Sequence, residues 1–204
     1  MACLLVIEAS PRFENSTSRI LTAQFVEKWT RAHPNASIVV RDLVRSNLKF
    51  VDLPWIRASF TPPDQLSPDL AAALTTSNTL IDEIVAADHI VIGTPMYNFS
   101  IPAVLKAYID QIVRLGVTVS MAYEGMLKNK KATVILSTGG DFSPGAPFEA
   151  ANVATAYLKQ ILGFIGITDV NVVLAGKTLT VDQGQTTLVD FVKQFDGAIS
   201  AAAA

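Results

Sequence analysis

Between residues 94 and 103 the chain reads Thr94-Pro95-Met96-Tyr97-Asn98-Phe99-Ser100-Ile101-Pro102-Ala103, a loop whose side chains suit a flat ligand. Met96, Tyr97 and Phe99 offer polarisable or planar surface, and Asn98 carries both a donor and an acceptor. Pro95 and Pro102 stiffen its two ends by fixing φ. At the carboxyl end of a strand in an α/β sheet such a loop suits a heteroaromatic molecule; it also fits a buried hydrophobic crossover. A second stretch gathers Ser10, Ser16, Thr17 and Ser18 ahead of a helix. Hydroxyls and free N–H groups there favour a phosphate, or form an ordinary N-cap cluster. A third, Ser137-Thr138-Gly139-Gly140, lets backbone approach a ligand closely and can turn consecutive N–H groups toward an electron-rich ring edge.

Other chemistries find no support. The first glycine of the chain is Gly93, so G-x-G-x-x-G cannot follow the first strand. A phosphatase loop beginning at Cys3 would need arginine where Ala9 stands. Gly176-Lys177-Thr178 resembles the end of a P-loop, but Asn171 occupies the position of its leading glycine. His33 and His89 lack cysteine or carboxylate spacing that suggests a metal, and His89, heading a strand, reads as a satisfied structural residue. Asp82 and Glu83 are adjacent on a helix and face different ways, so they form no acid/base dyad.

The elements that must position these loops follow from periodicity. Cys3–Ala9, Ser37–Arg41, His89–Gly93, Lys131–Ser137 and Val170–Ala175 read as strands, with Ile38, Val39 and Val40 the core of the second. Helices are expected from Ser16 to about Ala32, from Ser67 to about Ala87, from Val104 to near Gly116, from about Phe148 to Ile165 and from Asp182 to Ile199. Ser67-Pro68-Asp69 is a strong start, with a serine cap, proline in the first turn and an acid at the positive end. Asp42 to Gln65 reads as a long irregular connection carrying Trp55 and Phe60, suited to a lid or an interface arm. Five strands alternating with five helices predict an α/β, doubly wound, five-stranded parallel sheet with helices on both faces. Residues 1–200 form one domain in this reading, and Ala201–Ala204 a frayed tail.

A chain of 204 residues can bury a sizeable core, and half of its residues are hydrophobic. The formal charge of −2 gives no electrostatic case for nucleic acid or a membrane surface. One cysteine excludes an intrachain disulfide and fits a reducing, cytoplasmic setting. The apolar start meets Glu8 at once, so no signal peptide is expected, and the longest uncharged stretch, His89–Leu105, contains two prolines and is no membrane span.

The motifs together resemble the FMN-dependent NADH-azoreductases, a family of flavodoxin-fold NAD(P)H:quinone oxidoreductases. The resemblance rests on Ser10 with Ser16-Thr17-Ser18, on Pro95 through Pro102, on Leu105-Lys106 with Asp110, and on Arg114-Leu115-Gly116-Val117-Thr118 and Phe164 through Val170. It covers nearly the whole chain. It implies strand order 2-1-3-4-5, bound FMN, NADH or NADPH as donor, and a quinone or azo compound as acceptor. It also implies a homodimer with the active site at the interface.

By that resemblance Ser10, Ser16, Thr17 and Ser18 hold the phosphate. Pro95, Met96, Tyr97, Asn98 and Phe99 hold one side of the ring, and Ser137, Thr138, Gly139 and Gly140 its pyrimidine edge. Phe99, Tyr123 and Phe142 are expected to line the substrate pocket. A nicotinamide would give its hydride to the flavin and leave before the acceptor enters, a ping-pong scheme needing no side-chain nucleophile. Thr138 departs from the arginine often found in the family's Ser-Arg-Gly-Gly loop; it removes a positive charge and keeps a hydroxyl for the ring edge. Two other classes share these features: a flavodoxin-like electron carrier and a flavin-binding regulatory protein without turnover. Carriers tend to be strongly acidic, which this chain is not.

Overall fold

A computed structural model describes the whole sequence, Met1–Ala204. The strands are β1 (Cys3–Glu8), β2 (Ser37–Asp42), β3 (His89–Pro95), β4 (Lys131–Ser137) and β5 (Asp169–Ala175). They pair in the order β2-β1-β3-β4-β5, every pair parallel. The helices, in chain order, are α1 (Thr17–Ala32), α2 (Leu53–Ser59), α3 (Pro68–Ala73), α4 (Thr75–Ala86), α5 (Ala103–Ile112), α6 (Val153–Phe164), α7 (Leu179–Asp182), α8 (Leu188–Lys193) and α9 (Asp196–Ala202).

Strand alternation explains the two-sided burial. Leu5, Ile7, Ile90, Ile92, Val134 and Leu136 pack with α4, α5 and α6 through Leu80, Ile84, Leu105, Tyr108 and Leu158. Leu4, Val6, Val91 and Ile135 face the other way, against Leu21, Phe25 and Trp29 of α1 and Phe191 and Ile199 of α8 and α9. All seven residues of β3 are buried, as befits a strand paired on both edges and covered on both faces. His89 is the structural residue its position suggested: its Nε2 lies 3.0 Å from Thr133 Oγ1, and burial pushes its pKa down to about 4.

Several expectations need correction. Strand β2 lies at the sheet edge, so Ile38 and Val40 are exposed and only Val39 packs on the core. The Asp42–Gln65 connection contains α2, capped by Asp52, whose Oδ1 accepts from Trp55 N–H at 2.9 Å. Ser67 caps α3 as expected, but a tight turn at Leu74, with N–H to Ala71 O at 3.1 Å, separates α3 from α4. Helix α6 starts at Val153, after its cap Asn152, rather than near Phe148. The C-terminal segment is three short helices, interrupted at Gly184, where φ is +70°. Ala201 and Ala202 continue α9, and Ala202 and Ala203 are buried in the second core, so the expected frayed tail is packed.

Close approach of α1 to the sheet depends on Gly93. A Cβ there would lie 2.3 Å from Thr22 Oγ1 and 2.7 Å from Glu8 Oε2. Glu8 ends β1 beneath the first loop, buried, with Oε2 lacking any hydrogen-bond partner. Burial pushes its carboxyl up from 4.5 to about 7; Arg19 pulls it down and Asp42 adds to the rise. The unfolded chain therefore loses this proton before the folded chain does, and stability falls as pH rises from 4.5 to about 7, then levels. Over that interval the loss approaches about 3 kcal/mol. Glu8→Gln keeps the shape and removes the titration. It should gain up to about 3 kcal/mol over the parent chain at pH 8 and nothing at pH 4 in urea unfolding; the same difference at both pH values would show that folding does not raise the Glu8 pKa.

Candidate functional site

The parallel order brings the three sequence-marked loops to one edge. Ala9 N–H bonds to Gly93 O at 2.9 Å, and Met96 N–H bonds to Ser137 O at 2.8 Å, so the segments leaving β1, β3 and β4 start side by side. This is the edge where strand order reverses, the usual ligand site of doubly wound sheets. A cavity of about 190 Å³ lies there, lined by Ser10, Ser16, Thr17, Pro95, Met96, Tyr97, Ser137 and Gly139. Arg12, Thr178, Leu179 and Asp182 complete its wall, and sequence reasoning missed all four. Thr178 and Leu179 follow β5, the neighbour of β4, so strand order alone could have drawn attention to them. Arg12 stands two residues beyond Ser10 in a loop already singled out.

The first loop is held by Arg19. Its Nε–H donates to Ser10 O at 2.8 Å, and its two terminal nitrogens donate to Asp42 at 3.0 Å each. That ties the start of α1 to the ends of β1 and β2. Ser16 caps α1 by accepting from Arg19 N–H at 3.4 Å. The N–H groups of Thr17 and Ser18, in the first helical turn, have no intrahelical acceptor, the condition that lets a helix start receive an anion. Ser18 lies outside the cavity: its hydroxyl is buried 3.1 Å from Ser16 Oγ, so it supports Ser16.

The loop after β3 closes on a strained turn. Tyr97 and Ser100 exchange backbone bonds of 2.9 and 3.0 Å, with Asn98 and Phe99 between them at φ of +49° and +67°. This is a type I′ geometry, easy for asparagine and costly for phenylalanine, by roughly 1–2 kcal/mol. The turn is anchored by Ala154 N–H, in the first turn of α6, which donates to Phe99 O at 3.0 Å. It leaves the N–H groups of Asn98 and Phe99 without partners in the chain and Phe99 half exposed. Strain of this kind persists where surrounding structure over-determines it.

The loop after β4 is sorted by polarity. The carbonyls of Thr138, Gly139 and Gly140 accept from the N–H groups of Thr178, Leu179 and Lys177 at 3.0, 3.2 and 2.9 Å. No acceptor in the chain takes the N–H groups of Gly139 and Gly140. The segment thus offers donors only, which suits the electron-rich edge of a ring. Thr138 differs from expectation. Its hydroxyl donates to Gly140 O at 2.9 Å and its side chain is buried, so it shapes the loop and is not free for a ring edge.

The expected substrate residues do not all meet. Phe99 and Phe142 pack edge to face with centroids 6.1 Å apart, and Phe148 continues the cluster at 6.3 Å from Phe142. Tyr123 is elsewhere, in a separate cavity of about 240 Å³ with Trp55, Phe60, Leu115 and Phe164.

Comparison with known proteins accords with this geometry. The model of the flavodoxin-like fold family matches residues 3–198. The chain belongs to this family. Among its curated relatives, an FMN-dependent NADH:quinone oxidoreductase of Burkholderia lata is 46% identical, over all of this chain and 97% of the relative. Another from a Jannaschia species is 47% identical over the full length of both. The crystal structure of azoreductase AzrA superposes with a TM-score of 0.84 at 28% identity, covering 98% of this chain and all of the other. Against this background the Thr138 hydroxyl has a measurable job. Thr138→Val should cost about 1 kcal/mol of stability in urea unfolding, the worth of one hydrogen bond, and speed amide exchange at Gly139 and Gly140; unchanged stability and exchange would show that the glycine loop is held without that hydroxyl.

Proposed function

We propose that this chain is an FMN-dependent oxidoreductase that carries two electrons from NAD(P)H to quinones and azo compounds. The observation that carries the reading is a division of labour along one edge. Uncharged hydroxyl and N–H donors gather at the start of α1, donor-only backbone follows at Gly139-Gly140, and an apolar, strained turn stands between them. A phosphate fits the first, the carbonyl-bearing edge of an isoalloxazine fits the second, and its face fits Met96 and Tyr97. The residues present therefore suit FMN.

FMN, when bound, supplies the two-electron chemistry. The chain's own part is to bind, orient and exclude water. Ser10, Ser16 and Thr17 hold the phosphate end, with Ser18 behind Ser16. Pro95, Met96, Tyr97, Asn98 and Phe99 hold the ring, and Ser137, Gly139 and Gly140 its polar edge. The Phe99–Phe142–Phe148 wall gives apolar room beside the ring position, where nicotinamide and acceptor take turns in a ping-pong cycle. Tyr123 joins the pocket only if a second chain brings its own copy there.

A homodimer accounts for that last point. Phe60, Met121 and Tyr123 are 75%, 74% and 70% exposed around two apolar cavities of about 280 and 240 Å³ between the α2 arm and residues 113–123. So much exposed apolar surface calls for a covering partner. No helix is long and apolar enough to cross a membrane, and the lone cysteine supports a cytoplasmic setting.

The purified protein should be yellow and release FMN on denaturation. Ser16→Ala combined with Thr17→Ala should weaken FMN by about 2–4 kcal/mol, two hydrogen bonds to a charged group; unaltered affinity would put the phosphate elsewhere. Anaerobic stopped-flow reduction with NADH and NADPH, followed by quinone reoxidation, separates an oxidoreductase from a carrier or a binding protein, which would show no rapid reduction by either. Light scattering should give a dimer, and Phe60→Asp a weakened one; a fully active monomer would refute the shared interface.

A further inference from the structure

Arg12 and Asp182 are the only charged residues lining the cavity assigned above to the flavin phosphate. They come from the loop after β1 and from α7, 170 residues apart, and meet in a two-pronged ion pair. Arg12 Nη1 donates to Asp182 Oδ2 at 3.1 Å, and Nη2 to Oδ1 at 2.6 Å. The pair is part-exposed, with 48% of the Arg12 side chain and 38% of the Asp182 side chain accessible. Such a pair adds little to stability and can exchange partners cheaply. The other arginine of this loop region, Arg19, is held by Ser10 O and Asp42 and does not line the cavity. Tyr97 lines the same cavity as Arg12. The hydroxyl and N–H donors of the first loop bring no net charge to offset a phosphate.

We propose that Arg12 and Asp182 form a counterion clasp that selects phosphorylated flavin: Asp182 neutralises Arg12 while no phosphate is bound, and an incoming phosphate takes Arg12 over. The proposal rests on the assignment of this cavity to the FMN phosphate. Asp182 is then a competitor of the ligand, which gives the clasp an unusual signature. Removing either residue breaks the same ion pair, yet the two changes act on FMN with opposite sign. Without Arg12, the Asp182 carboxylate stands unpaired beside a dianion. Without the Asp182 charge, Arg12 is a free cation awaiting one.

The test titrates the flavin-free full-length protein with FMN and with riboflavin, following flavin fluorescence. The parent chain should bind FMN much more tightly than riboflavin. Arg12→Gln should raise the Kd for FMN tenfold or more, and Asp182→Asn should lower it several-fold. The double variant should fall between them, and riboflavin should bind all four proteins within about twofold. If both single variants weaken FMN, or if riboflavin shifts in step with FMN, the pair is a structural strut and the clasp is wrong. If both leave FMN unchanged, Arg12 does not reach the phosphate, and the clasp is wrong although the phosphate assignment stands. A parent chain that binds the two flavins equally overturns the phosphate assignment and the clasp together.

Discussion

The two-sided pairing of β3 is the constraint from which the site follows. Parallel strands on both of its edges bring the ends of β1, β3 and β4 to one rim, and the connections leave in opposite directions on either side of the β1–β3 boundary. Burial of every β3 residue makes that arrangement rigid. Gly93 is the one position in it with no room for a side chain, because Thr22 and Glu8 press over it from α1 and β1. Loss of that close approach would lift the start of α1 from the sheet and, with it, the hydroxyls of the first loop.

Hydrogen-bond economy does the rest. A ligand site built from backbone must leave some groups unpaired, and which groups are left decides what it can bind. Here the carbonyls on the Gly139 side are taken up by the loop after β5, and the N–H groups are left over. At the start of α1 the same imbalance arises from helix geometry, which always leaves the first N–H groups without acceptors. The rim is therefore donor-rich while carrying little charge, a character suited to a ligand that is anionic at one end and carbonyl-rich at the other.

Charge is confined to a few engaged groups. Arg19 holds the loop to Asp42, Arg12 meets Asp182, and Lys177 pairs with Asp141 at 2.8 Å. Glu8 is the exception, buried below the rim with an oxygen unpaired and its proton retained near neutrality. The stacking surface beside these groups is the phenylalanine cluster, whose first member sits in a left-handed conformation that an anchoring bond from α6 sustains.

Local pattern carried the sequence reading a long way. Apolar runs of strand length, helical stripes and the Ser67-Pro68-Asp69 start were legible because each depends on neighbours within a few residues. So were the three loops, since serine clusters, a proline-bounded aromatic segment and paired glycines keep their chemistry wherever they fall; the membership of the family was legible from the same residues. What tertiary structure alone decided is how groups distant in sequence share partners. Ile38 and Val40 look like core in sequence and are exposed, because edge position is a property of the sheet. Thr138 looks like a ligand donor and is consumed by Gly140 O, because the loop folds back on itself. Tyr123 parts from Phe99 and Phe142, and Arg12 finds Asp182 across 170 residues, since such meetings depend on the packing of whole elements against one sheet.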